Sequence, residues 1–362
     1  MRNPFQVHPP VRAPFGRVMV AKTTHLGDLV IGLPLASALK RHDPGCTVIY
    51  LTNPATVAVA RYCPDIDEVY PEPASPVDLA ALLVRLKIDV FIQVNAARSL
   101  AKAAFLAAIP TRIGSLFRAY NVRYCTDLVA ISRPWAQLNK RQLDLQYLAP
   151  LGIKASSMDE VATLVQRSAP RRNTVAASIH PRQFAGDKHA IILSPSLVTA
   201  RGHQWPLAAF SSLIERLGTE GVHWFICGID SERAALSTLL SAHAGASNVT
   251  DLVGKLSLQE FIGFTAHCDG LIAGSTGPLH LAAALGLHTL GLFSSDQADL
   301  QRWEPIGTHA DVIHSKVPCK QKHSWNRFVD QTCPCILAID AASVAARVHA
   351  WCAHGGQLDA TA

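Results

Sequence analysis

Two short segments carry residue types at spacings suited to chemistry. The first is Gly274-Ser275-Thr276-Gly277-Pro278-Leu279-His280, which runs into the Ala/Leu-rich stretch Leu281-Ala282-Ala283-Ala284-Leu285-Gly286. A short apolar run over 270–273 leads into it. Small residues at such a strand-to-helix turn admit a ligand close to the backbone. The open N–H groups and positive dipole end of the following helix then attract an anion. Thr276 adds a hydroxyl, and His280 stands one turn into the helix, able to face the same ligand. The pattern points to a phosphate-bearing ligand, although it has the spacing of neither a Walker loop nor the dinucleotide fingerprint. The second segment is Lys22-Thr23-Thr24-His25-Leu26-Gly27-Asp28, directly after the apolar run 18–21. It sets a carboxylate at the carboxyl end of a first strand, where open α/β sheets place their ligands. A carboxylate there can take a proton from a reacting hydroxyl. The alternative for Asp28 is a helix cap, the commoner duty of Asp at a helix start.

Both segments need elements to hold them. After Asp28 an amphipathic helix is expected, with Leu29, Leu33, Leu35, Ala36 and Leu39 as its apolar positions and Pro34 disturbing its first turns. Runs at 18–21, 47–51, 69–70 and 90–94 read as strands separated by helical stretches. A second set follows at 190–194, 223–227, 249–252, 270–273 and 289–293. This alternation predicts two successive α/β halves, each a parallel sheet with crossover helices. The expected boundaries are a flexible arm over 1–16, a first domain over 17–167, a linker over 168–189, a second domain over 190–337, and a helix with tail over 338–362. The linker is placed by its Arg, Pro, Ala and polar residues.

Composition agrees with two packed domains. A chain of 362 residues with 49% hydrophobic and 17% charged residues exceeds one typical core and is not disordered. No run reaches the roughly 18 apolar residues of a membrane span. The first 16 residues hold four prolines and no apolar core, unlike a secretory signal. Nine scattered cysteines favour a reducing cytoplasm. The net charge of +6 can assist an anionic acceptor or an anionic membrane surface, but forms no nucleic-acid stripe.

The amino-terminal segment Lys22-Thr23-Thr24-His25-Leu26-Gly27-Asp28, with Leu33-Pro34 after it, resembles the signature of the family 9 glycosyltransferases, the lipopolysaccharide heptosyltransferases. Four further segments agree in order: Leu148-Ala149-Pro150-Leu151-Gly152-Ile153, Gln204-Trp205-Pro206 with Phe210, Leu252-Val253-Gly254-Lys255-Leu256-Ser257-Leu258, and the loop from Thr276 to Ala284. The resemblance spans about residues 17–345. It implies a GT-B architecture of two Rossmann-like domains facing across a cleft. It also implies inverting transfer of a heptose from ADP-heptose to a lipopolysaccharide core or related glycan, without a metal. Asp28 falls at the position of the family's catalytic base. Lys22, Thr24, His25 and Gly27 fall on the acceptor side, where Lys22 would meet an anionic group such as a Kdo carboxylate. Thr276, Gly277, Ser275 and His280 fall on the donor diphosphate and sugar, with Thr199, His203 and Glu232 in segments that the family uses around the nucleotide. Trp205 is read either as an anchor at a helix start or as a base-stacking ring.

Two positions depart from the family pattern. His203 stands where a lysine is usual, with Arg201 nearby, and Ser275 stands where Asp or Asn is frequent. A histidine of ordinary pKa is mostly neutral at pH 7, so charge stabilisation is weaker there unless Arg201 substitutes. These departures leave open another nucleotide sugar, a protein acceptor, or a nucleotide-sugar-binding protein that has lost turnover. A nicotinamide dehydrogenase is disfavoured, because no Gly-x-Gly-x-x-Gly follows the first strand of either half. Cys319, Cys333 and Cys335, with Cys352 or His323, are weighed as a thiolate metal site and set below reduced thiols, for want of paired C-x₂-C spacing.

Overall fold

The structure is a computed structural model that describes residues 11, 13–131, 138–154, 157–195, 204–219, 221–318 and 333–353. The chain divides into two compact units, Met1–Pro170 and Arg171–Ala362.

In the first unit six strands lie in the order β3-β2-β1-β4-β5-β6. They are β1 (Arg17–Lys22), β2 (Thr47–Thr52), β3 (Glu68–Pro71), β4 (Val90–Gln93), β5 (Thr111–Ser115) and β6 (Asp127–Val129). Every pairing is parallel. β1 and β2 are buried along nearly their whole length, which is why they read as unbroken apolar runs. Met19, Ala21, Ile49, Leu51 and Phe91 build one core with Leu79, Leu83, Leu100 and Ala103 from the covering helices. The helix expected after Asp28 is two helices, α1 (Leu26–Gly32) and α2 (Pro34–His42), meeting at Leu33. Pro34 causes the division, since it opens a helix readily but cannot continue one. All five predicted apolar positions are buried. Helix α3 (Lys140–Leu145) closes over this region, its start fixed by a capping box between Asn139 and Gln142.

The second unit repeats the topology: read from its far edge, its sheet runs β9-β8-β7-β10-β11-β12. The strands are β7 (His189–Ser194), β8 (Val222–Ile226), β9 (Val249–Asp251), β10 (Gly270–Gly274), β11 (His288–Phe293) and β12 (Ala310–His314), again all parallel. Helices α4 (Leu207–Leu217), α5 (Leu258–Ala266), α6 (Gly277–Ala284) and α7 (Ala341–Ala353) cover it. Ile191, Leu193, Trp224, Ile272 and Leu290 pack with Phe210, Val344 and Val348 in its core, so α7 belongs to this unit.

Three expected boundaries shift. Phe15, assigned to the arm, is buried and stacked on His42 at 5.6 Å, so the packed body begins before β1. The expected linker is folded onto the second unit. Arg172 donates to the carbonyls of Ala266 and Cys268, Arg182 pairs with Asp269 at 2.8 Å, and Ala176 packs against Gly263. The closing helix starts at Ala341 rather than 338.

Candidate functional site

In both sheets the first strand of the unit lies beside the fourth, and this switch in strand order opens the crevice where such sheets bind ligands. In the first unit the segment leaving β1 carries Thr24, His25 and Gly27 to the start of α1. His25 occupies the N-cap, without a side-chain cap hydrogen bond. Asp28 is therefore neither the cap nor a loop residue: it is the third residue of α1, in its first turn. Its side chain is 32% exposed, and its carboxylate lies 4.0 Å from the Lys22 ammonium.

Lys22 is not on the surface. Its side chain is 2% exposed, and its ammonium donates to Asp144 Oδ2 at 2.6 Å. Lys140, one helical turn before Asp144 on α3, donates to the other carboxylate oxygen. Burial pushes the Asp144 carboxyl up, but Lys140 and Lys22 outweigh it and hold it below its ordinary value. Burial pulls the Lys140 ammonium down to about 8, against the pull of Asp144. The Lys22 stem passes under Gly32, where a Cβ would stand only 3.0 Å from Lys22 Cε. Placed this way, Lys22 supports Asp28 from beneath instead of reaching outward to a ligand.

In the second unit Ser275 and Thr276 connect β10 to α6, with Gly277 as the first helical residue and Pro278 after it. Pro is favourable there because its missing N–H would have had no helical partner. Thr276 is the N-cap, yet its hydroxyl caps nothing. That hydroxyl is buried without a hydrogen-bond partner in a residue only 7% exposed. A buried hydroxyl in that state costs on the order of 1–3 kcal/mol, a cost that an incoming acceptor oxygen relieves. His280 is buried one turn further on, and its N–H returns to the Thr276 carbonyl at 3.4 Å.

Neighbouring segments are held by local devices. Glu232 accepts from Ile229 N at 3.0 Å, which ties the turn after β8. Gly254 takes a positive φ of 69° and abuts Asp230, where a Cβ would stand 3.0 Å from the Asp230 Cα, so the turn after β9 requires glycine. Ser257 and Glu260 then form a capping box that starts α5. Trp205 settles its two readings as an anchor: it is buried, stands edge-on to Phe210 at 4.8 Å, and donates to the Ile339 carbonyl at 2.8 Å. Thr199, Arg201, His203, Cys319 and His323 lie outside the described residues. Cys333 and Cys335 are buried with sulfurs 3.1 Å apart, and no group of three or more metal-ligating residues occurs among the described residues.

Sequence reasoning missed Asp144 and Lys140, because their link to β1 spans 122 residues. It also missed Gln93 and Asn95 at the carboxyl end of β4, each with a buried carbonyl oxygen that lacks a partner. A polar Gln-x-Asn pair closing an apolar strand was the available signal.

Each unit is thus a parallel α/β sheet with a strand-order switch, followed by a small-residue turn in one unit and a carboxylate in the other. The model of glycosyltransferase family 9 (heptosyltransferase) matches residues 79–330, and the chain belongs to that family. It is 25% identical over 313 residues to a Haemophilus influenzae protein classed as a glycosyltransferase, covering 80% of this chain and 86% of that protein. It is 21% identical over 292 residues to lipopolysaccharide heptosyltransferase 3 of Escherichia coli, covering 77% and 83%. The E. coli ADP-heptose lipopolysaccharide heptosyltransferase II structure superposes with a TM-score of 0.73 at 18% identity, over 94% of this chain and 99% of that one. The fold is GT-B, and the protein is a glycosyltransferase. No helix among the described residues is long and apolar enough to cross a membrane.

Proposed function

We propose that this glycosyltransferase moves a heptose, with inversion, from ADP-heptose to a lipopolysaccharide core or related glycan. The observation that carries the donor side is the buried, unpartnered Thr276 hydroxyl at the start of α6. On this reading Thr276, Gly277 and the helix N-terminus hold the diphosphate, and Ser275 and His280 contact it or the sugar. Glu232, Thr199 and His203 serve the nucleotide side. Asp28, half-exposed and held from beneath by Lys22, takes the proton of the acceptor hydroxyl. The acceptor oxygen then bonds to the anomeric carbon. The sugar–diphosphate bond breaks, and the departing ADP keeps the electron pair. The helix N-terminus takes up that charge, a duty assigned here to backbone and hydroxyl donors with no metal. Thr24, His25 and Gly27 line the acceptor side. The reading places the protein in the cytoplasm, with peripheral contact at the inner membrane.

A thermal-shift panel with ADP, UDP, GDP and CDP at equal concentrations tests the donor. At 100 times its dissociation constant a nucleotide stabilises the fold by about 2.7 kcal/mol. Selective stabilisation by ADP is expected. Selective stabilisation by another nucleotide would keep the transferase and discard the heptose donor, the outcome toward which Ser275 leans. A flat response to all four would overturn the donor assignment.

A further inference from the structure

Asp28 stands at the open end of a buried series of alternating charges. Lys140 and Lys22 both donate to Asp144, and the Lys22 ammonium is 2.6 Å from Asp144 but 4.0 Å from Asp28. Lys22 and Asp144 are 2% and 3% exposed, whereas Asp28 reaches solvent. Gly32 leaves room for the Lys22 stem, since any Cβ there would press on Lys22 Cγ, Cδ and Cε. A carboxylate in direct contact with an ammonium is a poor proton acceptor, because the contact stabilises its charged form. An ammonium one shell away orients the carboxylate without claiming it.

We propose that Asp144 is a positioning residue for Asp28: it holds the Lys22 ammonium to itself and so leaves Asp28 oriented and clear of direct ionic contact. The inference rests on Asp28 being the base of the proposed reaction. The other charged or titratable groups on elements packed against α1 are His25 at its N-cap, Arg17 at the far end of β1, Arg61 on the helix Val57–Arg61, and Arg141 on α3. The Tyr50 phenol, kept protonated by burial, donates to the Gly32 carbonyl at 2.8 Å. Arg17 is engaged by Glu68 at 2.7 Å. Of all these groups, only Lys22 lies within 4.0 Å of Asp28, so its placement weighs most on the charge that Asp28 meets, with the more distant Lys140 also acting on it.

The test is the titration of Asp28 in the full chain, labelled with ¹³C at aspartate carboxyls. The Asp28 resonance is assigned by its loss in Asp28→Asn. In Asp144→Asn the Lys22 ammonium closes on Asp28, and the midpoint falls by about one pH unit, as expected for moving it from 4.0 Å to hydrogen-bond distance at a surface-like dielectric. In Lys140→Gln, Asp144 binds Lys22 alone and a cation leaves the surroundings, so the midpoint rises by roughly a few tenths of a unit. Asp144→Glu keeps the wild-type value. In a Lys22→Gln background the Asp144→Asn shift shrinks to less than about half, because the ammonium that moves is gone. An undiminished shift there would make Asp144 a distant charge only and overturn the positioning. A midpoint that fails to fall in Asp144→Asn, or to rise in Lys140→Gln, would overturn it as well. Where Asp144→Asn does not fold, Lys140→Gln is read with and without Lys22→Gln: positioning predicts a smaller rise when Lys22 is gone, and an equal rise in both backgrounds would overturn it. The titration needs no substrate, so it separates this inference from the base assignment, which fails only if Asp28→Asn keeps its turnover.

Discussion

The edge of the first sheet that carries Asp28 and the edge of the second that carries Thr276 share one topology and differ in what supports them. Beneath Asp28 lie a buried carboxylate, Asp144, and the buried Lys22 and part-buried Lys140 ammonium groups that both donate to it. At Thr276 support comes from a helix start, small residues and a hydroxyl that lacks a partner. On the proposed roles, Asp28 as base needs a tuned charge, and ions close by supply it at the cost of tying the local fold to pH. A diphosphate brings its own charge and needs only fixed donors. On those roles one strand order hosts either solution, and the side chains brought in beside it decide which.

The comparison breaks most visibly at Asp144. Asp144→Asn leaves Lys22 and Lys140 without their shared partner, and we expect a loss of about 3–5 kcal/mol in denaturant unfolding. The pH dependence has the same origin. The folded Asp144 value lies below its unfolded 3.8, so its stabilisation is present above that value and is lost as pH falls through the folded one. The expected observation is acid unfolding of the wild type that is blunted in the variant. At the other edge Thr276→Val acts in the opposite direction. It removes a buried unpartnered hydroxyl, so the free protein gains on the order of 1 kcal/mol while ADP binding weakens about tenfold. Melting curves with and without ADP check both signs. A loss of stability on Thr276→Val would mean that the hydroxyl supports the fold and not a ligand.

The smallest effect is expected at Asp299, after β11. Burial, with Asp296 beside it, pushes its carboxyl up to about 6. A raised folded value costs stability above that pH and nothing below the unfolded 3.8. Asp299→Asn should therefore stabilise the protein by about 1 kcal/mol near neutral pH, allowing for partial exposure, and the gain should vanish near about pH 4. Thermal melts at the two pH values check it.

Much of the fold could be read from residue order, for a physical reason. Strands buried on both faces, such as β1, β2, β7 and β11, are unbroken apolar runs, and their expected ends agree with the structure to within a residue. β5, β6 and β12 escaped notice. β5 carries Arg112, satisfied by the Ile109 and Tyr124 carbonyls, β6 has only three residues, and β12 is half-buried at an edge. Proline and arginine content suggests exposed chain over the arm and the linker, whereas Phe15 is buried and Arg172 and Arg182 use their forks to bind the second unit. At the candidate site, Asp28 and Thr276 could be singled out because each stands at or beside a helix start that directly follows a strand. The support from Asp144 was not, since only the folded chain brings α3 over β1.

The measurement that bears most directly on the division of labour is turnover of ADP-heptose with a heptose-accepting lipopolysaccharide core, comparing wild type with Asp28→Asn and recording the ADP melting shift of each. Transfer is expected to fall by about 10²–10⁴-fold in the variant, while the ADP shift stays at its wild-type size. A variant that keeps wild-type turnover, or that loses the ADP shift together with turnover, would contradict it.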